Sequence, residues 1–206
     1  MHDFVGLAFD LAFKYRNPAI ILADGVIGQM MEKVVLPEQR PRLTNEEVMA
    51  RCPWATFGKL KHRGPNIVTS LELDPAEMEK RNIHLQQKYA EIEEKEVRDE
   101  EIHCDDAEYL IVAFGSCARI AQKAMEEARA EGIKVGLLRP ITLWPFPSKA
   151  IAERSRQVKG ILTVELNAGQ MVEDVRLAVE CKVPVEYFGR LGGIVPDPDE
   201  VVTALK

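Results

Sequence analysis

The sequence predicts an α/β fold in which helices cover both faces of a mostly parallel sheet. Two observations in its second half carry that prediction. Short apolar runs, too short for helices, recur at Tyr109–Phe114, Lys134–Arg139, Ile161–Glu165 and Val183–Tyr187. Between them lie stretches whose apolar residues return every three or four positions, the helical period. Strands alternating with helices at this spacing form a parallel sheet that needs cover on both sides.

The elements can be justified in chain order. Phe4, Leu7, Ala8, Leu11, Ala12 and Tyr15 share one helical face, and Asn17-Pro18 stops that helix. Ala19–Leu22 is a continuous apolar run closed by Asp24-Gly25, which reads as a strand buried on both faces. Such a strand requires parallel neighbours, so the chain is expected to begin inside a domain. Residues 37–73 hold proline, glycine and basic residues without periodicity and read as a connector. Asp74-Pro75-Ala76-Glu77 is a helix start, and the Glu/Lys/Gln-rich stretch after it keeps a thin apolar stripe at Met78, Leu85 and Ile92.

After the strand at 109–114, Cys117, Ile120, Ala121, Ala124, Met125 and Ala128 form a helix face, and Gly132 supplies the C′ position. A short helix is expected over 147–157. Another groups Met171, Val175, Ala178 and Val179. The last opens with the capping box Asp197-Pro198-Asp199-Glu200 and buries Val201, Val202 and Leu205.

Composition narrows the function. The 206 residues carry 27 basic and 33 acidic side chains, a formal charge of −6, with 46% apolar content. No basic cluster points to nucleic acid, and no run approaches the roughly 18 apolar residues of a membrane span. The N-terminus lacks the features of a secretory signal. Cys52, Cys104, Cys117 and Cys181 have neither zinc nor ferredoxin spacing and read as thiols of a reducing cytoplasm.

Ligands of open parallel sheets gather at the carboxyl ends of the strands. The segments expected there are Asp24-Gly25 with Gln29, Gly115-Ser116, Glu165 with Asn167 and Gln170, and the loop of Arg190. Gly115-Ser116 lacks the further glycines and the lysine of a phosphate loop, so Ser116 reads as an ordinary N-cap. Glu165 reads either as part of a polar cluster with Asn167 and Gln170 or as a carboxylate that pins its loop and caps the next helix. His62-Arg63-Gly64 could hold a phosphate or carboxylate, but a single histidine–arginine pair in a loop is a weak signal. His2, His62, His84 and His103 show no metal spacing. No catalytic residue and no metal ligand emerges from spacing.

Five stretches carry a resemblance: NPAIILADGVIGQMMEKVVLP (17–37), NIVTSLELDPAEMEKRN (66–82), HLQQKYAEIEEKEV (84–97), GIKVGLLRPITLWPFP (132–147) and VELNAGQMVEDVRLAVECKVPVEYFGRLGG (164–193). Together they resemble the alpha subunit of the 2-oxoacid:ferredoxin oxidoreductases, most closely the 2-ketoisovalerate type. The resemblance implies that residues 1–36 end a thiamine-diphosphate pyrimidine-binding domain, that 37–104 connect, and that 105–206 form a transketolase C-terminal-like domain. It implies an enzyme that decarboxylates a branched-chain 2-oxoacid on thiamine diphosphate and Mg²⁺, reduces ferredoxin and forms an acyl-coenzyme A. Its iron–sulfur clusters sit on partner subunits. It further implies that this chain alone binds no thiamine diphosphate and serves structure and assembly, with Asp24–Gln29 and Glu165–Gln170 at interfaces. Two other classes remain open from the residues: a stand-alone coenzyme A- or nucleotide-binding domain using Gly115, Asn167 and Arg190, and a structural dimerisation module.

Overall fold

A computed structural model describes the chain except for residues 37, 59, 60 and 63. The chain divides into two compact units: residues 1–22 with 30–88, and residues 23–29 with 89–206.

The first unit is helical. α1 (His2–Tyr15) buries Tyr15 and ends at Arg16, which turns left-handed at φ 47°. Its outer residue Asp10 receives a bidentate pair of hydrogen bonds from Arg40, at 2.8 and 3.0 Å. Phe13 packs against Trp54 with ring centres 5.7 Å apart, and the Arg16 guanidinium lies over the same indole. α3 (Asn45–Arg51) falls within the stretch read as an irregular connector. Thr44 and Glu47 satisfy each other's backbone amides in a capping box, so a helix forms despite the prolines around it. α4 (Pro75–Lys95) starts where expected, with the Asp74 carboxylate accepting from the amides of Ala76 and Glu77.

One expected element is corrected. Residues 19–22 form no strand, and Ile20 stands 85% exposed. A single extended segment gains no ladder hydrogen bonds, and among the described residues no strand pairs with it.

The second unit holds the sheet: β1 (Asp99–Ile102), β2 (Tyr109–Ala113), β3 (Val135–Pro140), β4 (Gly160–Glu165) and β5 (Val185–Gly189), in the order β1-β3-β2-β4-β5. β3, β2, β4 and β5 are mutually parallel, and β1 joins β3 antiparallel. β1 is an addition to the expected strands. Its sequence Asp-Glu-Glu-Ile lacks an apolar run because it lies at an edge of the sheet, with Glu100 paired to Arg139 at 2.8 Å and Glu101 bound by Arg154.

Helices cover both faces, as the alternation required. α5 (Gly115–Ala130) and α8 (Pro198–Leu205) pack on one face, where Ala121, Met125, Val201 and Val202 meet Ile111, Leu137 and Val164. α6 (Ser148–Ser155) and α7 (Met171–Val179) pack on the other, where Ile151, Met171, Val175 and Val179 meet Leu110, Val112 and Leu138. α5 closes on Gly132 at φ 90°, with Gly132 N–H donating to Arg129 O and Ile133 N–H to Ala128 O. That reciprocal pair is the Schellman stop. α8 opens with its capping box formed as expected, and β3 is followed by a cis Trp144–Pro145 bond. α2 (Gly25–Gln29), a single turn, belongs to this unit and lies beside α5.

Candidate functional site: the crevice at the strand ends

Going outward from β2, the chain places β3 on one side and β4 and β5 on the other. The loops leaving β2 and β4 therefore run in opposite directions and open a crevice, the usual ligand position of such sheets. Here the crevice is occupied by the chain itself.

Asp24 is the occupant. Its Oδ2 accepts from the Ser116 hydroxyl at 2.7 Å, and its Oδ1 accepts from the Ile27 amide at 2.8 Å. Burial would raise the Asp24 carboxyl, but the donors from Ile27, Ser116 and Val26 outweigh it and hold the group below the usual carboxylate range. The N-cap reading of Ser116 is corrected. Phe114 takes the N-cap position with no side-chain bond, and Ser116 is the second residue of α5, its hydroxyl turned to Asp24. Gly115, at φ 58°, makes the entry to α5 in a conformation other residues rarely adopt, with the Ile27 side chain 3.9 Å from where a Cβ would stand. Gly25 begins α2, and Gln29 ends it exposed to solvent.

Glu165 lies at the end of β4, 1% exposed. Its carboxylate accepts from the amides of Gln170, Met171 and Val172 at 3.2, 2.9 and 2.9 Å. Of the two readings offered by the sequence, this is the loop pin and helix cap, placed where the positive end of the α7 dipole favours a negative charge. The side chain of Asn167 turns within its own loop and accepts from Gly169 N–H at 2.7 Å. Gln170 meets Glu165 through its backbone amide. Arg190 is bound by Glu200 of α8, and its amide donates to the carbonyl of Glu165. Of His62-Arg63-Gly64, Arg63 lies outside the described residues.

Three residues of the crevice were not singled out from sequence. Cys117 is buried, and its thiol is pushed up to about 11, first by burial and then by the charges of Glu165 and Asp24. Tyr187 donates its hydroxyl to the carbonyl of Asn167, and its phenol is raised by burial and by Glu165. It folds over Gly189, where a Cβ would stand 2.8 Å from Asn167 O and against the phenol. Glu200 appeared only as a capping residue. An alternating strand ending in glycine was the available hint for Tyr187.

Chemically, the crevice offers little that is uncommitted. Ser116 has a carboxylate neighbour, but one held below the carboxylate range is a poor base near neutral pH, and its other oxygen is bound. Cys117 is a protonated thiol rather than a thiolate. Among the described residues no three of His, Cys, Asp and Glu come together as a metal site. The geometry fixes loops and holds residues 23–29.

Residues 107–201 match the family model for the pyruvate:ferredoxin oxidoreductase core domain II. Across all 206 residues the chain is 46% identical to ketoisovalerate oxidoreductase subunit VorB of Methanothermobacter thermautotrophicus, covering 56% of that protein. The chain is a relative of 2-oxoacid oxidoreductase subunits. It is 29% identical over 223 aligned residues to 2-oxoglutarate synthase subunit KorA of Methanothermobacter marburgensis, covering 98% of this chain and 60% of that one. The chain thus spans a little over half the length of these relatives. A solved 2-oxoglutarate:ferredoxin oxidoreductase from Magnetococcus marinus, with 2-oxoglutarate, coenzyme A and succinyl-CoA bound, shares the fold at TM-score 0.60 and 23% identity, over 68% of this chain and 27% of that one. The mostly parallel sheet with helices on both faces, implied by the resemblance, is the fold observed.

Proposed function

We propose that this chain forms part of a subunit of a thiamine-dependent 2-oxoacid:ferredoxin oxidoreductase acting on a branched-chain 2-oxoacid such as 2-ketoisovalerate. The observation that carries this reading is the 46% identity running the whole 206 residues, against 29% toward the 2-oxoglutarate enzyme's subunit. In this reading the subunit takes the position called alpha in the resemblance and VorB in the relative. Its partners are the other subunits, ferredoxin, the 2-oxoacid and coenzyme A, in the reducing cytoplasm that suits four free cysteines. Residues 1–36 end a pyrimidine-binding domain, 37–104 connect and lend β1 to the sheet, and 105–206 form the rest of the α/β domain that supports assembly.

The described residues do not fit the cofactors of that enzyme. The crevice carboxylates of Asp24 and Glu165 already accept from the chain's own hydroxyl and amides, leaving neither to face a thiamine ring. Iron–sulfur clusters need several converging thiolates, and among the described residues no three of His, Cys, Asp and Glu come together. No step of the reaction is therefore assigned to this chain's residues. Arg190, the cation proposed for a stand-alone coenzyme A site, is engaged by Glu200.

Two measurements test the reading. The 206-residue chain should give no heat with thiamine diphosphate and Mg²⁺ in calorimetry, and micromolar binding would overturn its supporting role. The complex purified with its partner subunits should reduce ferredoxin faster with 2-ketoisovalerate than with 2-oxoglutarate. The reverse order would overturn the substrate assignment.

A further inference from the structure

Residues 23–29 are set apart from their neighbours in the chain. The residues before and after them, up to Leu22 and from Met30, cluster with the helical unit, while 23–29 cluster with the α/β unit. Their hold on that unit is narrow. Ala23, Gly25, Val26, Gly28 and Gln29 are exposed, and the two partly buried positions are Asp24 and Ile27. Asp24 takes the Ser116 hydroxyl, and Ile27 lies over Gly115. Ser116 is buried at the start of α5, whose amide-rich end favours a negative charge beside it.

We propose that residues 23–29 are a detachable strap, latched over the switch-point crevice by the Asp24 carboxylate and opening without unfolding the sheet beneath. A segment held by one carboxylate and one apolar side chain belongs to the least stable class of local structure, whereas β2, β4 and α5 are held by a continuous core. The latch is charge-assisted, because Asp24 stays ionised and both its oxygens accept from donors. When closed, the strap puts the chain's own anion where a parallel sheet ordinarily takes a ligand. Opening uncovers Ser116 and the start of α5. This inference rests on contacts within the α/β unit and stands apart from the assignment to an oxidoreductase.

Amide hydrogen exchange read by mass spectrometry on the 206-residue protein tests it. Asp24→Asn and Ser116→Ala should each speed exchange of residues 23–29 by about tenfold, the effect of losing one charge-assisted bond, while peptides from 118–128 and 160–165 keep their wild-type rates. The double variant should exchange no faster than Asp24→Asn alone, because the carboxylate is the acceptor of the only bond that Ser116→Ala removes. Unchanged exchange at 23–29 in both single variants would overturn the latch. Acceleration of α5 and β4 together with 23–29 would overturn the separate opening, making the segment an integral part of the core. Additive effects in the double variant would show that Asp24 and Ser116 act independently and would equally refute the latch.

Discussion

The two units spend their apolar residues in opposite ways. In the α/β unit, Leu110, Ile111, Val112, Leu137 and Leu138 are removed from water, each met by a helix residue from one face of the sheet or the other. In the helical unit, Tyr15 is buried, but Phe9, Ile20, Met31, Ile67 and Leu73 all lie exposed, Met31 at 97%. Both regions contain apolar runs of similar strength. What separates them is whether the chain supplies a second surface for each run to meet. Hydrophobic character decides only that a segment needs a partner. Topology decides whether it gets one.

Substitutions that remove the same kind of side chain from each unit put this contrast to the test. The largest effect is expected from Leu110→Ala, which opens a cavity under α6 and α7 and should cost about 2–5 kcal/mol in denaturant unfolding. Glu165→Ala should follow closely, at about 3 kcal/mol, because it leaves the amides of Met171 and Val172 buried without an acceptor. Gly136→Ala places a Cβ 2.9 Å from His103 O and 3.0 Å from Cys104 Cα, both backbone atoms that cannot swing aside. We expect about 1–3 kcal/mol from that overpacking. Ile20→Ala, the counterpart in the helical unit, should change stability by less than about 0.5 kcal/mol. A loss at Ile20 as large as that at Leu110 would erase the contrast.

The thiols sharpen the comparison by a gentler route. Cys104 and Cys117 are raised in the folded state, so their contribution is fully present below the ordinary thiol value near 9 and is lost as pH climbs toward about 11. Melting temperature should fall across that window, and the fall should shrink in Cys117→Ala. At pH 8, iodoacetamide should label exposed Cys181 at least about tenfold faster than either buried thiol, read by peptide mass spectrometry. Equal rates would mean that the α/β core opens readily.

Legibility from sequence followed the same division. The runs at 109–114, 134–139 and 161–165 announced their strands because each is buried on both faces, the run at 183–187 announced the partly exposed edge strand that lies at 185–189, and Gly132 and Asp197 announced a helix end and a helix start through local hydrogen bonds. Strand β1 hid because an edge strand needs little apolar content, and α3 hid because its capping box sits among prolines. Ala19–Leu22 misled because local pattern cannot report whether a ladder partner exists. In the crevice, Glu165 as a helix cap was readable, since acceptor and amides lie within seven residues. Asp24 and Ser116 stand 92 positions apart, and nothing in either neighbourhood names the other.

The acidic strand β1 has a consequence for how this protein behaves in company. An open sheet border is a template on which another chain can crystallise strand by strand, and here the border reads Asp99, Glu100, Glu101 in succession. Glu100 and Glu101 are tied to Arg139 and Arg154, so a strand docking along this border would have to displace those ion pairs and meet the charges they leave. The fringe of charge makes that side of the molecule a poor seed for fibres, so crowding should not turn it into one.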